Sequence, residues 1–241
     1  MIAWNKRFSS LYYASVFITL VFILLGKKPF FVGFDLTVLP ILIFALLFQF
    51  KKNHSVLMPL TIVATTFSFL GDVLMLMDIE RTLFKTLGIC TFVAAQVSYG
   101  LLYIQSVKAS PDKSALPWKQ RFPEMVLAVI LIGYTYQILS RTQELFVPSL
   151  IYAIFADTVF FLALHRRFYV SKASFLSVFS GAFLFIMSAS LTALDFYSTN
   201  PYLHALSILF YATAHYLVTN GILIQIQDTA SKKPVGETLA Q

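Results

Sequence analysis

The sequence predicts an all-α polytopic membrane protein, a bundle of about eight transmembrane helices, and three observations carry that prediction. Hydrophobic residues make up 58% of the 241 and charged residues only 12%, about half the charged share of a soluble domain. The apolar residues fall into eight runs, each long enough to cross about 30 Å of hydrocarbon as a helix. Lysines and arginines gather at the ends of those runs, in the alternation that membrane topology imposes. Helices follow because backbone groups in lipid must bond within their own segment. The runs are also too long and too continuously apolar for the alternating strands of a barrel.

The first run, 9–26, follows Asn5, Lys6 and Arg7 as a signal peptide would. No small-x-small cleavage site precedes Lys27 and Lys28, so it is expected to stay as a first helix. The second, 31–50, is opened by Lys28-Pro29 and closed by Lys51 and Lys52. The third, 56–77, carries Asp72 inside its apolar residues, and the fourth, 84–107, carries Cys90. As the only cysteine, Cys90 forms neither an intramolecular disulfide nor a Cys-based zinc site. A loop at 108–122, with Ser110-Pro111 and Pro117-Trp118, is the only long one. The remaining runs are 123–140, 145–164 with Asp157, 174–195, and 202–226. Residues 1–226 thus form one integral-membrane domain with halves 1–107 and 123–226, and 227–241 is a polar tail.

Thirteen basic residues fall on one side (Lys6, Arg7, Lys51, Lys52, Lys108, Lys113, Lys119, Arg121, Arg166, Arg167, Lys172, Lys232, Lys233) and five on the other (Lys27, Lys28, Arg81, Lys85, Arg141). Both termini are therefore expected to be cytoplasmic, in a bacterial inner membrane. The net charge of +7 is spread over short pairs and forms no continuous patch, so a nucleic-acid partner is not expected. The sequence has no His-x-x-x-His, no Glu-x-x-His and no phosphate loop, and neither a metal nor another cofactor is expected. The oligomeric state is left open.

An ionisable residue at the centre of a membrane helix costs about 2.5–3.5 kcal/mol on insertion scales, so Asp72 reads first as a functional residue facing a protein-lined cavity. Helix-to-helix hydrogen bonding is the plainer alternative. On its helix Thr65, Ser68, Asp72 and Met75 share a face. Similar faces carry Gly88, Phe92, Gln96 and Tyr99 on the fourth run, Gly181, Phe185, Ser188, Thr192 and Asp195 on the seventh, and Tyr211, His215 and Thr219 on the eighth. Asp72, Ser188, Gln96 and His215 are expected to be neighbours. Asp157 is a second intramembrane carboxylate, for which a hydrogen bond to a neighbouring serine or threonine is the plain explanation. Asp35 and Asp195 lie near helix ends, within reach of water. His54, His165 and His204 lie at segment ends and require no special role. Runs three and four (SFLGDVLML, then AAQVSY) are echoed by runs seven and eight (MSASLTAL, then ATAHYL), which points to two parallel four-helix repeats.

Four of these stretches together, SFLGDVLM at Ser68–Met75, G-x-x-x-F-x-x-A-Q-x-x-Y at Gly88–Tyr99, G-A-x-x-F-x-x-S at Gly181–Ser188 and Y-x-x-A-H-x-L at Tyr211–Leu217, resemble the YhhN family of eight-helix lysoplasmalogenases. The resemblance implies hydrolysis of the vinyl ether bond of lysoplasmalogens, a lysophospholipid class, to a fatty aldehyde and glycerophospho-ethanolamine or -choline. It also implies two functional aspartates. The first maps onto Asp72; the second maps onto position 189, which is Ala189 here, so Asp157 or Asp195 would have to compensate. His and Gln are exchanged relative to the family at Gln96 and His215.

Vinyl ether hydrolysis requires an acid that stays protonated near neutral pH and a polar group that stabilises an oxocarbenium ion or orients water. Burial raises a carboxyl pKa, which suits Asp72 as proton donor. His215 is the alternative acid–base group, and Ser68, Gln96, Tyr99, Ser188, Thr192 and Tyr211 are expected to orient water or substrate. Two other readings stay open. One is a degenerate member that binds lipid without turnover; the other is a small proton-coupled transporter using Asp157.

Overall fold

The computed structural model describes residues 4–52, 55–77, 81–109, 118–140, 142–198 and 200–232. Most of the loop expected at 108–122, His54, Arg141, the side chains of Lys28, Pro29 and Asp35, and the chain beyond 232 lie outside the described residues. Among the described residues the chain is all helix: α1 (Lys6–Leu24), α2 (Lys28–Lys52), α3 (Leu57–Leu76), α4 (Arg81–Lys108), α5 (Trp118–Leu139), α6 (Phe146–His165), α7 (Lys172–Ser198) and α8 (Pro201–Lys232). Each coincides with one of the eight apolar runs. Helix α5 starts earlier than expected and takes in the last residues of the predicted loop, while α8 continues six residues past its apolar run. Single 3-10 turns precede α6 and follow it, at Gln143–Leu145 and Arg166–Phe168.

Six helices, α1, α3, α4, α6, α7 and α8, are long and apolar enough to cross a membrane, and α2 and α5 carry the shorter apolar stretches Leu36–Lys51 and Val126–Leu139. Large apolar side chains such as Phe17, Phe44, Phe48, Val129, Ile130 and Ile132 stand exposed on the outside. In water such a surface would aggregate; in lipid it is the expected exterior. The protein is an integral membrane protein.

The bundle is built on two helix pairs. Helix α7 packs most extensively on α8, and α3 on α4. Lipid supplies no hydrophobic drive between helices, so association depends on close approach and interhelical hydrogen bonds. Small residues provide the approach. A Cβ on Gly221 would lie 2.6 Å from Val178 Cγ2 and 2.9 Å from the Ser174 carbonyl, and one on Gly181 would lie 2.8 Å from the Ala214 carbonyl. In the other pair, a Cβ on Gly71 would lie 2.6 Å from the Phe92 ring, and one on Gly88 would meet Met75 at 2.9 Å. Hydroxyls supply the bonds: Ser174 Oγ donates to the Gly221 carbonyl (2.8 Å) and Ser177 Oγ to the Leu217 carbonyl (2.7 Å). Helix α1 closes on α8 through Tyr12 Oη, which donates to the Ala212 carbonyl at 2.8 Å.

At one end of the bundle Arg166 has no exposed surface. Its Nε donates to Ser106 of α4 (2.8 Å), and its Nη2 to Ser174 of α7 (3.1 Å) and Gln225 of α8 (2.9 Å). The guanidinium also lies 5.5 Å from the centre of the Tyr103 ring. One residue after α6 therefore ties together three other helices.

Because the obstacles facing Gly221 include main-chain atoms, Gly221→Ala is expected to destabilise the purified protein by about 1–3 kcal/mol. Gly133 on α5 meets nothing within 4 Å, so Gly133→Ala is expected to be neutral or to stabilise by about 1 kcal/mol. Thermal unfolding of the two variants in the same detergent checks the contrast.

Candidate functional site

Asp72 sits four residues before the end of α3. The hydroxyls of the same face, Thr65 and Ser68, are turned back onto the carbonyls of Thr61 (2.9 Å) and Ala64 (3.1 Å), which satisfies them inside their own helix. Gly71 leaves room for the Phe92 ring of α4 beside the aspartate. Phe92 in turn stands edge-on to Tyr152 of α6 and Tyr211 of α8. Tyr211 Oη donates to Asp72 Oδ2 at 3.1 Å, so the aspartate is held across the bundle by a residue 139 positions away.

These groups form part of the wall of a cavity of about 420 Å³ between α3, α4, α5, α6, α7 and α8. That volume is within the range of small-molecule sites. Three carboxylates from three helices line it: Asp72, Asp157 and Asp195. Asp157 accepts a hydrogen bond from Thr135 of α5, at 3.0 Å to Oδ2, the kind of partner its sequence context suggests. Asp195 Oδ2 lies 3.2 Å from His204 Nδ1, and Asp195 Oδ1 is buried without a hydrogen-bond partner. Ser188, Ala189, Thr192, Lys85 and His204 belong to the polar and small part of the wall, and Phe92, Phe185, Ile186 and Leu139 to the apolar part.

Of the residues singled out in the sequence, Asp72, Asp157, Asp195, Ser188, Thr192 and Tyr211 meet at this cavity. Ser188 donates to the Ser207 carbonyl of α8 (2.8 Å) and Thr192 to the Ser188 carbonyl (3.0 Å). Ser68, Gln96, Tyr99 and His215 are buried outside its lining. Gln96 reaches the wall through its Nε2, which donates to Tyr152 Oη at 3.3 Å. His215 has no exposed surface; its Nδ1 lies 3.0 Å from Tyr99 Oη, and its Nε2 has no partner. The rings of Tyr211 and Phe185 stand edge-on to it, with centres 4.6 and 4.7 Å away. It therefore supports the wall from behind.

In the sequence His204 reads as a helix-end histidine and Lys85 as a topology signal, and the fold brings both to the cavity. Lys85 Nζ donates to the Met75 carbonyl in the last turn of α3, where a cation complements the helix dipole. The available signal was positional: Lys85, Asp195 and His204 each lie three or four residues from the end of a helix, at two turns that the bundle places together. Among the described residues no group of three His, Cys, Asp or Glu side chains is placed to hold a metal ion.

The family model described as the YhhN family matches residues 31–222. No curated protein and no solved structure matches.

A hydrogen bond contributes about 0.5–1.5 kcal/mol net, so Tyr211→Phe, which removes the one to Asp72, is expected to lower the unfolding midpoint in detergent. Tyr99→Phe, remote from the carboxylates, is expected to have a smaller effect, and parallel melts of both variants check the order.

Proposed function

This chain belongs to the YhhN family, and on that premise we propose that it hydrolyses the vinyl ether bond of a lysoplasmalogen within a bacterial inner membrane, both termini being cytoplasmic. The observation that carries the proposal is the convergence of Asp72, Asp157 and Asp195 on one cavity inside an otherwise apolar bundle. Three carboxyl groups around one space offer the chemistry both a candidate proton donor and a candidate counter-charge.

In the proposed reaction the Asp72 carboxyl, held by the Tyr211 hydroxyl, gives its proton to the terminal alkene carbon. The π electrons form the new C–H bond and leave an oxocarbenium ion at the carbon attached to oxygen. An ionised carboxylate, Asp157 or Asp195, stabilises that cation far more effectively in this setting than in water. The same group orients a water molecule, which adds to the cation and returns a proton to Asp72. The hemiacetal then collapses to a fatty aldehyde and the glycerophospho-alcohol, with no nucleophilic serine involved. His215 takes the part of a positioning residue, since it touches Tyr211 and not the cavity.

Ala189 favours one other reading. Its methyl group lines the cavity at the position where the family resemblance implies a second aspartate. A chain so changed would bind lysophospholipid without turning it over. The hydrolase reading is preferred because Asp157 and Asp195 open on the same cavity as Asp72, leaving the chemistry with acid and counter-charge.

The test is aldehyde release from lysoplasmalogen by the detergent-purified protein. Wild type is expected to release aldehyde, and Asp72→Asn to lose about 100-fold or more of the rate while retaining its fold. A folded wild type that binds the lipid and releases none would establish the binding-only member.

A further inference from the structure

Most hydroxyls that line the cavity are committed to protein acceptors. Ser188, Ser190, Thr192 and Ser207 donate to main-chain carbonyls at 2.8–3.0 Å, and Thr135 and Tyr211 donate to Asp157 and Asp72. Tyr152 of α6 departs from that pattern. Its Oη accepts from Gln96 Nε2 of α4 at 3.3 Å, and no hydrogen bond among the described residues uses its own proton. A phenol has one proton to donate, so Tyr152 brings an unused donor to the cavity wall.

The phenol is also held in place. Gln96 is buried and fixes the oxygen from α4, and the Phe92 ring stands edge-on to the Tyr152 ring with centres 6.4 Å apart. Phe92 stands likewise to Tyr211, the residue that holds Asp72. Tyr152 and the Asp72–Tyr211 pair are therefore neighbours of one ring. Five residues further along α6, a rise of about 7.5 Å, Asp157 lines the same cavity. Thr135 supplies it with one donor, at 3.0 Å to Oδ2, whereas a carboxylate has room for about four. An unused donor and an acceptor with capacity left thus stand on one helix, around the space that Asp72 also lines.

From this arrangement we propose that Tyr152 and Asp157 hold the hydrolytic water, with Gln96 as the positioning residue of Tyr152. The proposal rests on the hydrolase reading above and adds to it the groups that deliver the water. A water molecule has two protons and two lone pairs. One lone pair accepts the hydrogen bond of Tyr152, one proton is held by Asp157 and the other by ionised Asp72, which leaves one lone pair for the oxocarbenium ion. When that pair forms the C–O bond, the O–H bond toward Asp72 breaks, its proton passes to Asp72 and its electrons stay on oxygen. The product is the neutral hemiacetal, still hydrogen-bonded to Tyr152 and Asp157. A water fixed in this orientation is already positioned when the cation forms, so the cation is trapped before it gives its proton back.

The test is run in heavy water, where Asp72 delivers a deuteron to the alkene carbon. A cation that is trapped becomes aldehyde; one that is not loses a proton from the same carbon and reverts to a vinyl ether carrying deuterium there. The ratio of deuterium in recovered lysoplasmalogen to aldehyde released, read by mass spectrometry, therefore measures how well the water is held, and loss of folded protein cancels from it. In the purified full chain Tyr152→Phe is expected to raise that ratio about two- to tenfold over wild type, as one lost hydrogen bond implies. Asp157→Asn is expected to raise it as well, and carries the test where Tyr152→Phe does not fold. Gln96→Leu, which loosens the phenol without removing it, is expected to raise it less. A ratio unchanged in Tyr152→Phe, whatever its rate, would mark the residue as structural and overturn the proposal, as would one unchanged in Asp157→Asn; one unchanged in Gln96→Leu would overturn the part given to Gln96. Aldehyde release by wild type with unchanged ratios in the variants would leave the hydrolase reading standing and remove this one alone. A folded wild type that neither releases aldehyde nor exchanges deuterium would overturn both.

Discussion

The fold depends on accommodating a buried charge. A guanidinium removed from water costs several kcal/mol even after relaxation, and Arg166 recovers that cost through Ser106, Ser174 and Gln225 on three different helices. The partners are themselves joined: Ser106 Oγ donates to Gln225 Oε1, Gln225 Nε2 to the Ser106 carbonyl, and Ser174 Oγ to the Gly221 carbonyl. Each bond fixes the rotation of one helix about its own axis. Because α4, α7 and α8 are rigid rods, the rotations set at this end also determine which residues face inward at the other end. There, the same three helices present Lys85, Asp195 and His204. The polar knot and this end of the cavity are thus opposite ends of one mechanical unit.

The two ends differ in how they treat polar groups. At the Arg166 end the side chains of Arg166, Ser106, Ser174 and Gln225 bond to one another, and Arg166 Nη1 alone of that group is left without a partner. At the cavity end Asp195 Oδ1 lacks a partner, and a volume of about 420 Å³ stands beside it. Small residues make the difference possible. The glycines of α7 and α8 let those two helices close tightly, while Ala153, Ala156, Ala189 and Ala193 along the cavity leave it hollow.

The eight helices were legible because lipid imposes length and composition on each of them separately. The signal is local, and local signals survive in one sequence. Asp72 was legible for the same reason, since a lone carboxylate in an apolar run stands out against its neighbours. His204 and Lys85 were not. Each sits where charged and polar residues ordinarily meet water, and only the crossing of α3, α4, α7 and α8 turns them onto a common space. Gln96 and His215 erred in the opposite sense: helical spacing put them on polar faces, but spacing does not say whether such a face meets a cavity or another helix. In the fold those faces meet Tyr152 and Tyr99.

Helix α8 has 32 residues, whereas α1 has 19 and α3 and α6 have 20 each. At 1.5 Å per residue α8 is about 48 Å long and the shorter three about 30 Å. The shorter helices match the hydrocarbon thickness, and α8 exceeds it. Yet α8 is the most deeply buried of the candidate spans, so its neighbours shield its apolar middle from lipid, while its excess length lies at its exposed ends. Hydrophobic mismatch in a thicker or thinner bilayer would then be met by tilting of the outer helices, and the post that holds Tyr211 and His204 need not follow.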